Sequence, residues 1–296
     1  MDQLLRGLDG EKAIRVVTAM TTETVREAVR RHELRGAAAV LLGRGLTAAC
    51  LLTTMTKNDD ERVRIALRGD GVLGRVLVDA HGDGRVRGCF ASERAARTRV
   101  LVGEGRAKVG PLVGAGEVVI TRDLGLDKSY QGVVSLESGE LDEDLERYLV
   151  ASEQLPSVLR CHVMLGADGD VVRAGGVLVQ TFPGSDSSRL DPVRRVLEGD
   201  GLADVLRQPR TPEALMGFAL GGAEHHALEP THVRFACDCG RERARSVVST
   251  LGAEDIDALA DEQGSTEVKC SYCGDAYTLS EADLRGLATE LRGQMS

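Results

Sequence analysis

The chain holds seven cysteines in 296 residues, and four of them stand in two close pairs, Cys237-Asp238-Cys239 and Cys270-Ser271-Tyr272-Cys273, separated by thirty residues. A structural Zn²⁺ prefers four tetrahedral thiolate or imidazole ligands, and two such pairs can supply all four. The spacing of the second pair is that of a zinc-knuckle turn, with Gly274 where the backbone needs freedom. The single residue inside the first pair makes a tighter loop but still lets both sulfurs reach one ion. The pattern therefore predicts a metal site built from Cys237, Cys239, Cys270 and Cys273, holding one Zn²⁺ per chain in the reduced form. Residues 242–251 and 253–263 read as helices between the pairs. A module spanning 231–296 is small enough that its own core is marginal. Structural Zn²⁺ contributes ~10–16 kcal/mol in such units, so metal loss should unfold much of this one.

The same thiolates admit two roles, a staple that holds a small module and a sensor that oxidants open. A disulfide between Cys237 and Cys239 would close a very small, strained ring, and Cys270 and Cys273 have the spacing of redox-active dithiols. Strained disulfides are readily reversed, but chemistry alone leaves staple and switch both open. Cys50, Cys89 and Cys161 are isolated in apolar or strand-like contexts and are expected to be buried small hydrophobes. His225, His226 and His232 lie near the cluster in sequence, yet four cysteines already complete a tetrahedron. Neither a Gly-rich phosphate loop between a strand and a helix nor a recognisable nucleophile–base spacing is present, so no enzyme is expected.

The rest of the chain reads as α+β. A first strand is expected at 14–19, then a helix to about His32 announced by the capping-box pattern Thr24-x-x-Glu27. Residues 36–55 approach the length of a membrane span, but Arg44 sits at their centre, where a charge costs roughly 3 kcal/mol on insertion scales. A buried core helix is the expectation, and no membrane partner. Strand-like runs at 63–68, 73–79 and 85–90, separated by Gly-Asp-Gly at 69–71 and 82–84, predict an antiparallel meander. Further strands are expected at 117–122 and 131–136, a helix at 141–153, and a hairpin of 161–166 with 171–180. Five of the seven prolines, Pro183, Pro192, Pro209, Pro212 and Pro230, then interrupt short amphipathic pieces that carry Leu190, Val193, Val196, Leu197, Leu215, Met216, Phe218 and Leu220. Such pieces are too short to be helical alone in water. They predict a helical linker, which either packs on the first domain or opens. The expected organisation is an N-terminal α+β domain at 1–182, the linker at 183–230 and a small zinc-binding domain at 231–296. The first residues lack a basic segment followed by an apolar one, so no secretory signal is expected; cysteines in such a chain suit the reducing cytoplasm.

These residues together resemble the redox-regulated thirty-three-kilodalton heat-shock chaperones. The resemblance runs through Cys237-Asp238-Cys239 with Arg241-Glu242-Arg243, through Cys270-Ser271-Tyr272-Cys273 with Tyr277, and through Tyr130-Gln131-Gly132-Val133-Val134, Ser152-Glu153-Gln154-Leu155-Pro156 and Ala174-Gly175-Gly176. Gly240 departs from the small polar residue usual after the second cysteine and leaves the ligands intact. The resemblance implies an ATP-independent holdase. Oxidation would join Cys237 to Cys239 and Cys270 to Cys273, expel zinc, unfold the C-terminal domain and linker, and expose apolar surface to unfolding clients, generally in a homodimer.

Two other classes fit the cysteines alone. A zinc-ribbon nucleic-acid binder is opposed by the charge of 231–296, seven Lys and Arg against twelve Asp and Glu, within a chain of net charge −9. A thiol oxidoreductase using Cys270 and Cys273 lacks the βαβ context such a motif needs. No nucleic-acid partner is expected.

Overall fold

The computed structural model describes residues 1–56, 58–90, 106–125, 129–208 and 211–294, so Pro209 of the linker lies outside the described residues. The chain is α+β and divides into two compact units, Met1–Ala236 and Cys237–Ser296. The linker at 183–230 and residues 231–236 fall within the first.

The first unit is built around one helix. Strands β1 (Gln3–Asp9) and β2 (Ile14–Met20) are followed by α1 (Thr22–Arg31) and α2 (Gly36–Leu52). Then come β3 (Arg62–Gly69), β4 (Arg75–His81), β5 (Arg85–Phe90), the single turn α3 (Gly110–Val113), β6 (Gly116–Asp123) and β7 (Ser129–Ser135). The order continues with α4 (Leu141–Ala151), β8 (Ser157–Leu165) and β9 (Val171–Thr181). Helices α5 (Asp191–Leu197), α6 (Gly201–Leu206) and α7 (Pro212–Ala219) occupy the segment expected to be a linker, and the short strands β10 (His225–Ala227), β11 (Thr231–His232) and β12 (Arg234–Phe235) close the unit. One sheet has the order β10-β1-β2-β9-β8, with β11 also on β1; the other has the order β12-β5-β4-β3-β6-β7. Helix α2 packs on β8 and β9 of the first sheet and on β4 and β5 of the second. Every one of its 17 residues is buried, which is why its sequence is apolar all round and shows no single stripe. By length and composition the 36–55 segment could cross a membrane, but residues 36–53 are buried inside the protein.

Arg44 is the exception in that helix. Its Nη1 donates to the Glu140 carboxylate and its Nη2 to the Ala107 carbonyl at 2.6 Å. Glu140 is itself held by the N–H groups of Val109 and Gly110 at 2.7 and 2.8 Å. The charge that rules out a lipid environment is thus paired inside the core, pinning the segment before β6 against α2.

Strand alternation gives the first sheet two apolar faces. Leu4, Val17, Ala19, Leu159, Cys161, Val163 and Leu178 point to α2. Leu5, Val16, Met20, Val158, Val177 and Val179 point the other way, onto Leu190, Val193, Leu197, Leu202, Leu206, Leu215 and Met216 of the linker. The linker helices, of seven, six and eight residues, gain their order from this face. A few polar ties fix them. Thr18 Oγ1 donates to the Pro212 carbonyl at 2.8 Å, Arg194 donates to Glu146 and to the Ser157 carbonyl, and Asp200 accepts from the Arg106 N–H. Gly7 allows the close fit, because a Cβ there would lie 2.7 Å from both the Met216 sulfur and the His226 carbonyl.

Several expected elements shift. Strand β1 precedes the strand expected to be first; Gly7 interrupts its apolar pattern, and its partners β10 and β11 are remote in sequence. The Thr24–Glu27 capping box does not form. Helix α1 begins at Thr22 after the N-cap residue Thr21, the Thr24 N–H is taken by Asp2 at 2.6 Å, and Glu27 turns to Arg30 and Arg31. The meander of β3, β4 and β5 stands as expected, with β4 beginning at Arg75 because the Leu73 N–H is bonded to the Leu112 carbonyl. Strand β8 is an edge, but Glu146 and Asp142 of α4 accept its outward N–H groups at Leu159 and Cys161, which blocks further pairing.

The second unit contains α8 (Arg241–Val248), α9 (Ala253–Gln263), the hairpin β13 (Ser265–Lys269) and β14 (Ala276–Ser280), and α10 (Glu281–Gln294). Its fully buried apolar core is Val248, Ile256, Ala260, Leu279, Leu284, Leu287 and Ala288. Its ion pairs, among them Arg241–Asp283 and Arg245–Glu290, are at the surface and contribute little each.

Arg44→Ala should lower the stability of the first unit by about 3–5 kcal/mol, since it leaves the buried Glu140 charge without its cation. Urea denaturation checks this, and a joint Arg44→Met, Glu140→Gln replacement should cost less than the single change.

Candidate metal centre

Two short segments of chain bring the thiols together. Cys237 follows β12 after one residue, Cys239 precedes Gly240 at the N-cap of α8, and Cys270 and Cys273 occupy the bend between β13 and β14. That bend is closed by Gly274 N–H to the Cys270 carbonyl and Cys270 N–H to the Asp275 carbonyl, both at 2.8 Å. Gly274 has a φ of 78°, in the left-handed region where a side chain is strained, as the sequence anticipated.

All four sulfurs lie within 4.8 Å of one another. Cys237 Sγ is 3.7 Å from Cys270 Sγ, and Cys239 Sγ is 3.2 Å from Cys273 Sγ, so each pair meets a member of the other. None of the seven cysteines is joined in a disulfide. A tetrahedral ion with sulfur at about 2.3 Å sets its ligands about 3.8 Å apart, close to the observed spacing. Electrostatics also suits a cation. Burial pushes the Cys237 thiol up, and the Cys239 and Cys270 sulfurs add to this; burial pushes Cys273 well up too. Burial opposes ionisation of Cys270 as well, but the N–H groups of Cys273 and Tyr272 outweigh it and hold that thiol below its ordinary value. Four thiolates this close repel one another, so complete ionisation needs a positive charge among them. The donor set is compatible with a bound metal.

The remaining candidates separate from this site. His225, His226 and His232 sit on β10 and β11, and the cluster contains no histidine. Cys50 in α2, Cys89 in β5 and Cys161 in β8 are buried. Burial raises the Cys50 and Cys161 thiols far above their ordinary value, with Asp2 and Asp142 respectively adding to the effect. Such thiols stay protonated and react slowly. One contact had no signal in residue chemistry or spacing. The Tyr277 hydroxyl lies 3.0 Å from Cys239 Sγ, a contact that exists only because the hairpin register puts β14 beside the first cysteine pair.

Comparison with known proteins agrees with this architecture. A sequence profile for the Hsp33 protein matches residues 2–280. The chain belongs to the Hsp33 family. It is similar to the 33 kDa chaperonin of Desulforamulus reducens, with 35% identity over 285 residues covering 96% of each chain. It is similar also to the 33 kDa chaperonin of Thermus thermophilus, with 37% identity over 302 residues covering 99% of this chain and 88% of the relative. The crystal structure of the Hsp33 homologue of Thermotoga maritima superposes with a TM-score of 0.86 at 29% identity, covering 97% of this chain and 98% of the other. As an Hsp33 protein the chain is a chaperone and not an enzyme, and its four-cysteine cluster is consistent with redox regulation.

Once metal is chelated and the small C-terminal unit loosens, a thiol reagent should modify Cys237, Cys239, Cys270 and Cys273 and reach Cys50, Cys89 and Cys161 only after the first unit is denatured. Peptide mass mapping of the labelled sites checks this.

Proposed function

We propose that the chain is a redox-regulated, ATP-independent holdase of the cytoplasm, with one Zn²⁺ held in the reduced state by Cys237, Cys239, Cys270 and Cys273. The observation that carries this reading is the convergence of four thiols in a unit whose main buried apolar cluster has seven residues among those described. When bound, Zn²⁺ supplies the positive charge that keeps the sulfurs together as thiolates, and with it most of the folding energy of a unit this small.

Oxidation removes that charge balance. In each pair, Cys237 with Cys239 and Cys270 with Cys273, one thiolate attacks a peroxide oxygen, giving a sulfenic acid and hydroxide. The second thiolate then displaces hydroxide from the sulfenic sulfur, and two protons from solvent convert both hydroxides to water. Each pair gives up two electrons, each peroxide gains two, and the resulting disulfides carry no charge to hold a cation. Residues from Cys237 onward then lose their main stabiliser.

Unfolding reaches the linker along the chain. The segments before Cys237 are β12 and β11, two residues each, and β10, three residues, all at sheet edges. Their few backbone bonds hold the end of the linker, whose short helices have little order of their own. Once they lift, Leu5, Val16, Val177 and Val179 of the sheet and the apolar faces of α5 and α7 are uncovered together. A contiguous apolar surface of this kind binds unfolding chains, and a second copy of itself, which accounts for a homodimer in the oxidised state. The acidic balance of the C-terminal residues argues against a nucleic-acid partner.

Reduced protein should contain one zinc per chain with sulfur at about 2.3 Å, and Cys270→Ser should weaken metal binding sharply. Elemental analysis with X-ray absorption tests this; stoichiometric zinc in the fourfold Cys→Ser protein would refute the ligand set. Peroxide treatment should release the metal, yield Cys237–Cys239 and Cys270–Cys273 as the dominant disulfides, and switch on suppression of client light scattering. Dominant crosslinks at Cys50, Cys89 or Cys161 would place the sensor elsewhere.

A further inference from the structure

We propose that Tyr277 is a brake on oxidation: its hydroxyl donates a hydrogen bond to Cys239 Sγ and lowers the reactivity of that sulfur toward peroxide. The proposal rests on the redox reading of the four cysteines given above. Tyr277 lies on β14 opposite Val268 of β13, on the same side of the strand as the buried Leu279, whereas Ala276, Thr278 and Ser280 are exposed. That alternation turns the ring toward the cysteine cluster, and the hydroxyl ends 3.0 Å from Cys239 Sγ. A phenol is an O–H donor at neutral pH, and a thiolate is an acceptor. The hydroxyl therefore shares the electron density that a thiolate would otherwise offer to an oxidant.

The ring and the hydroxyl have separable roles. Phenylalanine would fill the same space beside β13 and keep the strand alternation, but it could not donate to sulfur. The reaction affected is the one already described, in which a thiolate attacks peroxide oxygen to give sulfenic acid and hydroxide, and the paired thiolate then closes the disulfide. A donor on Cys239 stabilises the charged sulfur before attack more than in the transition state, where the charge has partly moved to the departing oxygen. Tyr277 is thus a positioning residue that sets the oxidant threshold of the switch without taking part in the electron transfer.

The test compares the zinc-loaded full chain with its Tyr277→Phe variant under excess hydrogen peroxide. Metal release is followed with a colorimetric chelator, and oxidation of Cys237 and Cys239 by differential alkylation and mass spectrometry. The variant should lose these thiols and its zinc about three- to tenfold faster, the rate equivalent of part of a hydrogen bond to a charged sulfur. Its affinity for zinc, by chelator competition, and its thermal midpoint should stay near the parent values. In the Co²⁺-loaded forms, the sulfur-to-metal charge-transfer band should move to longer wavelength in the variant, because an unbonded thiolate gives up an electron more easily. Equal oxidation rates with an unshifted band would overturn the role of Tyr277 while leaving the redox reading intact. Faster release matched by an equal loss of zinc affinity would overturn it as well, making the hydroxyl a support for metal binding. If neither protein oxidised at the cluster, the redox reading would fall and the brake with it.

Discussion

The first sheet has two apolar faces, and only one of them is covered by the permanent core. Helix α2 fills the space between the sheets and buries Val17, Leu159 and Leu178 on one side. The other side, with Leu5, Val16, Val177 and Val179, is covered by helices too short to persist without it. That mutual dependence is the constraint on which the rest of the molecule turns. The linker is ordered because the sheet is apolar, and the sheet remains soluble because the linker is ordered. On the proposed reading, such a chaperone needs no new surface to become active; it needs only to lose a cover.

The second unit supplies the means of losing it. Its buried apolar core of seven residues is slight beside the one around α2, and its surface ion pairs add little. Four thiols gathered within 4.8 Å could hold a metal ion, and under the proposed function that ion governs the fold of this unit. With a cation among them, their mutual repulsion becomes attraction to a shared centre; as disulfides they hold nothing beyond their own short loops. Under the same proposal, the short strands β10, β11 and β12 would pass that event to the preceding helices along the chain.

Much of this was legible in the residues. The cysteine pairs named the cluster, Gly274 marked its turn, and the prolines with their short apolar repeats marked a run of short helices. Strand alternation and Gly-Asp-Gly turns located the meander of β3 to β5. Arg44 pointed to a buried core helix, as found, but its partner Glu140 lies 96 residues away and could not be read from local pattern. The same limit hid β1, whose partners include strands more than two hundred residues later, and the Arg194–Glu146 tie. Thr24 and Glu27 misled because a capping box needs its threonine at the helix start, and Thr21 holds that place. Local propensity found the elements, and long-range pairing decided which faces they cover.

The account stands or falls on whether oxidation lifts the linker from the sheet. Hydrogen exchange, read by mass spectrometry on reduced zinc-loaded and on peroxide-oxidised full-length protein, measures this directly. The account predicts that amides of 183–230 and 231–294 lose protection on oxidation while β2, β9 and α2 keep theirs. Oxidised protein that suppresses aggregation with the linker as protected as in the reduced state would contradict it.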